Sequence, residues 1–370
     1  MSDRSNPKVL RIGITLPAQP KASSDQVFSQ NLWGSGIVQN AAFLARVLGK
    51  IPGVKVFAVN NYPLAKHLGI EYTEKGPGYL RMIVEVCAKL GPIEARAFRA
   101  TGGLLIHHAV GNTLAMAMEH VSGGFEATAD VAHNDYDAVW CLPHIYQMNH
   151  SMFQLVHNCP VDKVPMIWGP DFLPQGWGYV PGQAGAPTVV TFEPSVSVVK
   201  TPHIPILAAE VAYRTGQANG RPMFGELKVM GHKEKAETSE AFRSFLGALE
   251  VRDVTTCEPR QPTATVFAST NVRAVVAHNW WNELNYSYNE ILYGGYPLVH
   301  NSQMVEAGYR YEGFDAKAAG DLLYQALGQH DEILPNYQEA AARFLLQLHP
   351  DTVRPMYAQL LKARVPGWGA

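Results

Sequence analysis

The chain has 370 residues, which is too long for one ordinary hydrophobic core and long enough for two. Apolar residues make up 47% of the sequence and charged residues 17%, a balance that excludes an extensively disordered protein. The formal net charge of -2 excludes a broad basic surface for nucleic acid or an acidic membrane, although a local basic groove stays open.

The cysteines show neither metal-knuckle nor redox-motif spacing, so we predict reduced and mostly buried thiols at Cys87, Cys141, Cys159 and Cys257. The first residues carry no signal-peptide pattern, and no run approaches the roughly 20 apolar residues of a membrane-spanning helix. We therefore expect a cytoplasmic protein without a membrane span.

Strands alternate with helices through the first half of the chain. Short apolar runs predict strands at 9–16, 54–59, 103–107, 137–142 and 164–168. Helical spacing of apolar residues predicts helices at 34–49, 79–90, 112–120 and 146–157. This alternation is typical of βαβ units in a mostly parallel sheet, and we predict an N-terminal Rossmann-like domain over residues 1–168.

A segment rich in Gly and Pro and without periodicity, 169–187, interrupts the alternation, and we predict a linker there. A second series follows, with predicted strands at 189–193, 227–230, 254–257, 274–278 and 297–300. Its helices are predicted at 205–214, 236–249, 263–270, 288–293 and 316–327, followed by two in the tail 335–363 around His349-Pro350.

The second Rossmann-like domain is thus predicted over residues 188–370, with its last helix a candidate to pack back on the first domain. The predicted fold class is α/β, with two doubly wound domains. Open parallel sheets bind ligands at the carboxyl ends of their strands, and we expect the two domains to face each other across a cleft there.

The most informative stretch is H-N-W-W-N-E-L-N-Y-S-Y-N-E-I-L-Y-G-G-Y-P-L-V-H-N-S, from His278 to Ser302. It places Glu290 on a short predicted helix, followed by a Gly-Gly break, Pro297 and an apolar run. This order resembles the donor-binding signature of GT-B glycosyltransferases, in which the glutamate holds the ribose hydroxyls of a nucleotide sugar. A surface glutamate on an ordinary helix is the alternative. The agreement of Gly295, Pro297 and the following strand with the signature favours the functional interpretation.

The resemblance extends over the C-terminal half. By this likeness Lys200 contacts the diphosphate, His232 lies in the loop beneath the nucleotide base, and His278 ends the strand that leads into the phosphate loop. Lysine is a compact cation suited to stabilising a phosphate leaving group, with a solvated surface lysine as the alternative. The same likeness assigns donor binding to the loop and helix start at Asn282, Asn285, Ser287, Tyr288 and Asn289.

Many retaining members of this group carry two carboxylates with seven residues between them. The position eight residues before Glu290 is Asn282, and the nearest carboxylate is Glu283, one residue out of step. A one-residue shift in the loop brings Glu283 to the sugar as a candidate catalytic group. Otherwise the first acid is absent. The stereochemical class therefore stays open, and the Glu290 region favours retention.

Three phrases together resemble a family of GT-B-like proteins from bacteria and phages. They are L-Y-G-G-Y-P-L-V-H-N-S, E-P-S-V-S-V-V-K and G-I-V-Q-N-A-A-F-L. The resemblance spans most of the chain. It implies a fold and a reaction class, and it names no substrate.

In GT-B enzymes the N-terminal domain binds the acceptor, and inverting members take a base from it. His107 and His108 are candidates, because they are predicted at a strand end and histidine has a suitable pKa for proton abstraction. Neighbouring strand residues point to opposite faces, so at most one reaches the cleft. Asp25, after the first strand, is a weaker candidate, with a turn residue as the favoured alternative.

A predicted helix begins with a Gly-rich sequence at Gly34, Ser35 and Gly36, which is not a complete G-x-G-x-x-G motif. We expect this helix start to approach the donor across the cleft.

Neither H-E-x-x-H nor H-x-H occurs, and we predict no metal and no cofactor beyond a nucleotide-diphosphate sugar such as a UDP-sugar as co-substrate. We predict a metal-independent glycosyltransferase that moves the sugar to a hydroxyl of a glycan, a lipid-linked molecule or another acceptor. A nucleotide-sugar epimerase of the same fold and a non-catalytic nucleotide- or glycan-binding protein are the alternatives. Transfer to modified DNA is a minor variant that the net charge disfavours.

Overall fold

The structure is a computed structural model, and it describes residues 9–18, 36–75, 78–123, 135–195 and 197–368. By its internal contacts the chain divides into two compact units. Unit 1 comprises Met1–Gly169 with Gln347–Ala370, and unit 2 comprises Pro170–Leu346. Within the described ranges, no helix combines the length and the apolar character needed to span a bilayer.

Seven parallel strands form the sheet of unit 1, in the order β3-β2-β1-β4-β5-β6-β7. They are β1 (Leu10–Ile14), β2 (Val54–Ala58), β3 (Glu71–Tyr72), β4 (Met82–Glu85), β5 (Leu104–Ala109), β6 (Ala138–Cys141) and β7 (Val161–Lys163). The central strands are rich in Val, Ile and Leu because both faces of a parallel sheet are covered by helices. Ile12 and Ile14 are accordingly fully buried.

The helices of unit 1 are α1 (Gly36–Gly49), α2 (Tyr62–Leu68), α3 (Pro92–Ala100), α4 (Thr113–Gly123), α5 (Pro143–His157) and, from the end of the chain, α12 (Pro350–Arg364). Helix α12 packs against α1. The Arg364 guanidinium donates to the Asp162 carboxylate at 2.6 Å, and the Trp140 and Tyr357 rings meet edge to face at 5.9 Å. The C-terminal helix is therefore part of unit 1.

Two local predictions in this half are wrong. Residues 79–90 contain the buried strand β4 and no helix, because a strand buried on both faces has no period-2 alternation and its apolar residues can mimic helical spacing. The last strand is β7, before the predicted segment 164–168, which contains no strand.

Six parallel strands form the sheet of unit 2, in the order β10-β9-β8-β11-β12-β13. They are β8 (Thr188–Thr191), β9 (Glu226–Met230), β10 (Thr255–Glu258), β11 (Val272–Val276), β12 (Leu298–His300) and β13 (Tyr309–Arg310). In the register of the central pair, Val190 lies opposite Val275. The carboxyl ends of all these strands therefore share one edge of the sheet.

The helices of unit 2 are α6 (His203–Ala218), α7 (Lys233–Thr238), α8 (Glu240–Gly247), α9 (Thr263–Ser269), α10 (Tyr286–Tyr293) and α11 (Ala316–Leu348). Helix α11 continues through Pro335, whereas the sequence predicted one helix that ends at 327 and another that begins at 335. Tyr337, just beyond the proline, is buried, and its hydroxyl bonds the N–H of Leu298 and the carbonyl of Tyr296. These contacts hold the helix against the sheet on the far side of the proline.

The segment predicted as a linker lies within unit 2 from Pro170 onward. The Tyr179 hydroxyl donates to the Asp331 carboxylate at 2.6 Å, and the backbone N–H of Gly182 donates to the same carboxylate at 2.8 Å. Arg273 completes this ion-paired cluster at 3.0 Å. The segment is thus anchored to α11 and β11.

Candidate functional site

Polar side chains collect at the carboxyl edge of the unit 2 sheet. A charged or polar residue follows each of five strands within three positions, namely Glu193, His232, Arg260, His278 and Asn301. This edge is where open α/β sheets bind ligands, because the helix N-termini and the loop side chains converge there. We call the group of side chains at this edge the carboxyl-edge cluster.

Glu193 is the buried acid of the carboxyl-edge cluster, with 1% of its surface exposed. One carboxylate oxygen, Oε1, accepts a hydrogen bond from the Tyr288 hydroxyl at 3.1 Å, and the other, Oε2, is buried without a hydrogen-bond partner. Burial raises the pKa of Glu193, while the charge of Lys200 and the Tyr288 hydroxyl act against that rise. A buried carboxylate with a vacant oxygen favours a ligand that donates hydrogen bonds.

Lys200 supplies a half-buried positive charge on the loop after β8. Burial lowers the pKa of its ammonium, the Glu193 carboxylate opposes this shift, and the nearby Arg260 guanidinium adds to it. A carbonyl oxygen of the same loop, on Val199, accepts the N–H of Trp280 at 2.9 Å, which ties the loop to the segment after β11. Two cations near each other at this edge form an electrostatic environment suited to an anion.

Ser195 and His232 form a hydrogen-bonded pair at the ends of β8 and β9. Nδ1 of His232 lies 3.2 Å from the Met230 carbonyl oxygen, which can only accept, so Nδ1 carries the proton. Nε2 therefore accepts the Ser195 hydroxyl proton at 2.8 Å. Gly231, next to His232, has φ 78°, and a Cβ there would lie 3.2 Å from Pro194. The pair fixes the turn that positions this edge.

His278 follows β11 and is 3% exposed. Its Nδ1 lies 2.9 Å from the Tyr311 hydroxyl, and that hydroxyl donates its proton to the Ala277 carbonyl oxygen at 3.0 Å. Nδ1 must therefore be the protonated nitrogen, and Nε2 is a buried lone pair without a partner. Burial lowers the pKa of His278 to about 4, so the ring is neutral near pH 7.

Two asparagines join the ends of β11 and β12. Asn301 Oδ1 accepts the backbone N–H of Asn279 at 2.9 Å, and Asn301 Nδ2 donates to the Asn279 carbonyl oxygen at 2.7 Å. The backbone N–H of Asn282 lies 3.4 Å from the side-chain oxygen of Asn279. Asn282, a predicted donor-binding residue, thus stands on a loop that side-chain amides hold in place.

Helix α10 begins within the carboxyl-edge cluster. Asn285 is its N-cap, and the Asn285 side-chain oxygen accepts the N–H of Ser287 at 3.4 Å. Tyr288 is buried and bonded to Glu193, and Asn289 is fully buried with both side-chain polar atoms lacking a hydrogen-bond partner. The predicted donor-binding residues of this segment are therefore brought together with Glu193.

The two predicted carboxylates of this segment differ in setting. Glu283 is held by the backbone, since its carboxylate accepts the N–H of Gln303 at 2.7 Å and its carbonyl oxygen accepts the Ser302 hydroxyl at 2.7 Å. Glu290 is half-buried on α10, and its carbonyl oxygen accepts the Trp177 indole N–H at 2.9 Å. One oxygen of Glu283 thus serves the loop, which makes Glu283 a poorer candidate for contacting a sugar than the sequence indicated.

An aromatic rim lies beside His278. The exposed fractions of Trp280, Trp281 and Phe314 are 48%, 47% and 56%. The Phe314 ring lies 4.5 Å from the His278 ring and 6.1 Å from that of Trp280. Exposed aromatic faces next to a polar site can stack on a nucleobase or a sugar ring.

The two histidines predicted as bases in unit 1 lie inside β5, which continues to Ala109, so neither ends the strand as predicted. His108 is 1% exposed, and burial lowers its pKa to about 4. The His107 ring packs against Tyr136 at 5.2 Å and Phe153 at 5.6 Å, and burial lowers its pKa to about 3. Their settings are those of neutral, packed side chains.

The other predicted residues of unit 1 are mostly outside the described ranges. Asp25, Gly34 and Ser35 lie there, and Gly36 begins α1, where its carbonyl oxygen accepts the Asn40 amide at 2.9 Å.

A D-x-D sequence, the pattern by which many metal-dependent glycosyltransferases hold a metal and a diphosphate, occurs at Asp135 to Asp137. The Asp137 carboxylate accepts hydrogen bonds from Arg99 at 2.9 Å and from the N–H of Leu105 at 2.8 Å, so it has protein partners. Among the residues the structure describes, no three His, Cys, Asp or Glu side chains are grouped to hold a metal ion.

Sequence reasoning missed Glu193, Arg260, Tyr311 and Asn301. Glu193 was placed at the end of a predicted strand and given no role. Their location in the sequence could have identified them, because each of the four residues lies within three residues of the carboxyl end of a strand, and these ends form this edge of the sheet.

Known structures share this fold. HepE from Anabaena, solved with UDP-glucose and with UDP and glucose, matches at TM-scores of 0.59 and 0.63, with 11% and 10% identity, over 96% of this chain and 100% of that one. A glycosyltransferase from Rickettsia africae matches at 0.57 with 10% identity, over 97% and 99% of the two chains. Sucrose-phosphate synthase from Thermosynechococcus elongatus matches at 0.54 with 10% identity, over 96% and 98%. These likenesses confirm the predicted GT-B fold class.

No curated protein matches the chain in sequence. One family model matches most of it, over residues 12–361, and this family is described as a protein of unknown function, DUF2827. A match over that length shows membership, and the chain therefore belongs to the DUF2827 family.

Proposed function

We propose that the protein is a glycosyltransferase that uses a nucleotide-diphosphate sugar, and that the carboxyl-edge cluster of unit 2 binds this donor. The observation that carries the proposal is the half-buried Lys200, with Arg260 close enough to shift its pKa and the N-terminus of α10 at the same edge. Two cations and the positive end of a helix dipole together stabilise a diphosphate. The likeness of the fold to HepE, which binds UDP-glucose, supports this reading.

In this proposal each group has one task. Lys200 and Arg260 neutralise the diphosphate and the charge that develops on it as the glycosidic bond breaks. Glu290 accepts hydrogen bonds from the ribose hydroxyls, and the exposed ring of Trp280 stacks on the base or the sugar. The reaction needs no metal, because the two cations take the place that a metal has in other transferases. The Glu290 signature favours retention of configuration at the anomeric carbon.

An epimerase of the same fold is the second candidate, and one observation favours it. Epimerisation needs acid and base groups around the sugar, and Glu193 and His278 each lie two positions beyond the end of one of two adjacent strands, β8 and β11. Such an enzyme would act on the donor without an acceptor.

Turnover assays separate these functions. We would incubate the protein with UDP-glucose and other common nucleotide sugars, with and without a mixture of methyl glycosides and a hydroxymethylcytosine duplex. Acceptor-dependent release of nucleoside diphosphate, absent in Lys200→Met, is the expected result, and NMR of the product anomer tests retention. A changed sugar without release would support the epimerase, and binding without turnover would overturn both enzymatic readings.

A further inference from the structure

Several buried acceptor atoms of the carboxyl-edge cluster lack a protein donor, Oδ1 of Asn289 among them. Two of these acceptors are Oε2 of Glu193 and Nε2 of His278. The first belongs to a carboxylate whose other oxygen is bonded to Tyr288. The second is a lone pair, because Tyr311 fixes the proton of the ring on Nδ1. With Glu193 ionised opposite the Lys200 charge and His278 neutral, neither atom can donate a hydrogen bond.

The two residues are neighbours. Val190 lies opposite Val275 in the β8–β11 register, and Glu193 and His278 each follow by three positions. Burial raises the pKa of both Glu193 and Tyr311, the Glu193 charge adds to the rise at Tyr311, and the backbone N–H of His278 opposes the rise at Glu193 without making a hydrogen bond of standard geometry to Oε2. All three residues therefore lie within one electrostatic neighbourhood. Buried acceptors without a protein donor are rare in folded proteins, and each marks a position where a ligand or an ordered water donates a hydrogen bond.

The chemistry of that partner follows from the two atoms. A phosphate presents acceptors only near neutral pH and would be repelled by the carboxylate, so the diphosphate belongs beside Lys200 and Arg260. Among the nucleobases only guanine carries two neighbouring donor groups, so most bases offer the carboxylate and the imidazole a single donor group. Hydroxyl groups on neighbouring carbons of a sugar ring present donors that two adjacent acceptors can receive.

We propose that Glu193 and His278 form a subsite that recognises hydroxyl groups of the transferred sugar. This inference rests on the proposed function, since the sugar arrives attached to the nucleotide. Glu193 and His278 then set which sugar is accepted, whereas Lys200 and Glu290 recognise the nucleotide shared by all donors with the same base.

The test compares binding of UDP with binding of UDP-glucose by calorimetry, using the full chain. The quantity of interest is the ratio of the two dissociation constants in Glu193→Gln, in His278→Gln and in the matched control Glu339→Gln, an exposed glutamate on α11. We expect the ratio to shift against UDP-glucose by about tenfold in the two subsite variants, as expected for one lost hydrogen bond, and to stay unchanged in the control.

A second arm uses the wild-type protein alone, so it does not depend on the folding of any variant. UDP-glucose analogues that each lack one ring hydroxyl are compared with UDP-glucose, and at least one should bind about tenfold more weakly. The subsite proposal would be overturned if both variants bind UDP and keep the wild-type ratio of the UDP and UDP-glucose dissociation constants. Equal binding of all the analogues would overturn it as well. Neither result would contradict the donor site. Failure of the wild type to bind UDP, GDP, dTDP, CDP or ADP would overturn the proposed function itself and the subsite with it.

Discussion

The Ser195 hydroxyl donates to Nε2 of His232 at 2.8 Å, and it does so from a backbone in the left-handed region, with φ 48°. A side chain in that region costs on the order of 1 kcal/mol, which glycine avoids. The hydrogen bond offsets this cost, because without it the ring nitrogen of a buried histidine would have no donor.

This relationship predicts an order of stability for two variants of one residue. Ser195→Ala loses the hydrogen bond and keeps the strain, and should lower the free energy of unfolding by about 1 kcal/mol. Ser195→Gly loses the same bond and relieves the strain, so it should be more stable than Ser195→Ala by about 1 kcal/mol. Urea midpoints measured side by side check the order. An alanine variant as stable as wild type would show that the pair contributes nothing.

Buried histidines should make the protein sensitive to acid. The pKa values of His278 and His300 are lowered to about 4 by burial, while in the unfolded chain they return to about 6.5. The unfolded state then binds more protons, so stability falls as the pH drops from about 6.5 toward about 4, by up to roughly 3 kcal/mol for each ring. Both ring nitrogens of His300 are hydrogen-bonded, because Nε2 donates to the Ala307 carbonyl oxygen at 2.8 Å and Nδ1 accepts the N–H of Ser302 at 3.2 Å.

Urea midpoints at about pH 7 and about pH 5 measure this dependence. His300→Gln should be less stable than wild type near neutrality and should lose less on acidification, since it has one buried imidazole fewer. Equal losses in the two proteins would contradict the assignment to His300.

Lys200 is expected to affect both nucleotide affinity and the stability of the unliganded protein, because its charge compensates that of the buried Glu193 carboxylate. Lys200→Met should weaken the attraction for a diphosphate, lowering nucleotide affinity by at least about tenfold, and should also destabilise the unliganded protein because the buried carboxylate loses its compensating charge. Adding Glu193→Gln should restore much of the stability without restoring nucleotide binding. Melting temperatures and nucleotide titrations of the wild type and the two variants separate the two effects. Recovery of binding in the double variant would exclude Lys200 as the phosphate ligand.

Alanine substitutions at three glycines should distinguish the stability cost of steric crowding from the cost of backbone strain. Gly294 has no room for a Cβ, which would lie 2.6 Å from Trp177, and Gly295 has both φ 71° and a Cβ contact of 2.9 Å with Gln338. Gly313 has φ 53°, and a Cβ there would meet no atom within 4 Å, so Gly313→Ala measures strain alone, at about 1 kcal/mol. Gly294→Ala should cost about 1–3 kcal/mol through crowding, and Gly295→Ala should cost more than Gly313→Ala. Equal losses at Gly295 and Gly313, measured as urea midpoints, would show that Gln338 moves aside freely.

The alternation of strands and helices was readable from the sequence because parallel strands buried on both faces give short apolar runs between helical periods. The same double burial removed the period-2 signal at β4 and produced the mistaken helix over 79–90. The sequence predicted a new helix beginning at Pro335, and the tertiary contacts of Tyr337 outweigh that local preference.

The candidate site was predictable only in part. The motif around Glu290 located the edge of the sheet, since its glycines and proline mark a helix end and a strand start together. Glu193 carried no motif, and its burial and its vacant oxygen depend on Tyr288, 95 positions away in the sequence. Contacts between residues so distant in sequence arise from the strand order, which one sequence does not reveal.

The most direct measurement of the central claim is a metal-free thermal-shift and calorimetric screen of the wild-type protein against UDP, GDP, dTDP, CDP, ADP and their common sugars, repeated with Glu290→Ala. We predict that one nucleoside diphosphate family stabilises the wild type, by about 2.7 kcal/mol at a hundred times its Kd, and that this stabilisation is lost in Glu290→Ala. Absence of a response to every nucleotide, or an equal response in Glu290→Ala, would contradict the donor site proposed at the carboxyl edge of unit 2.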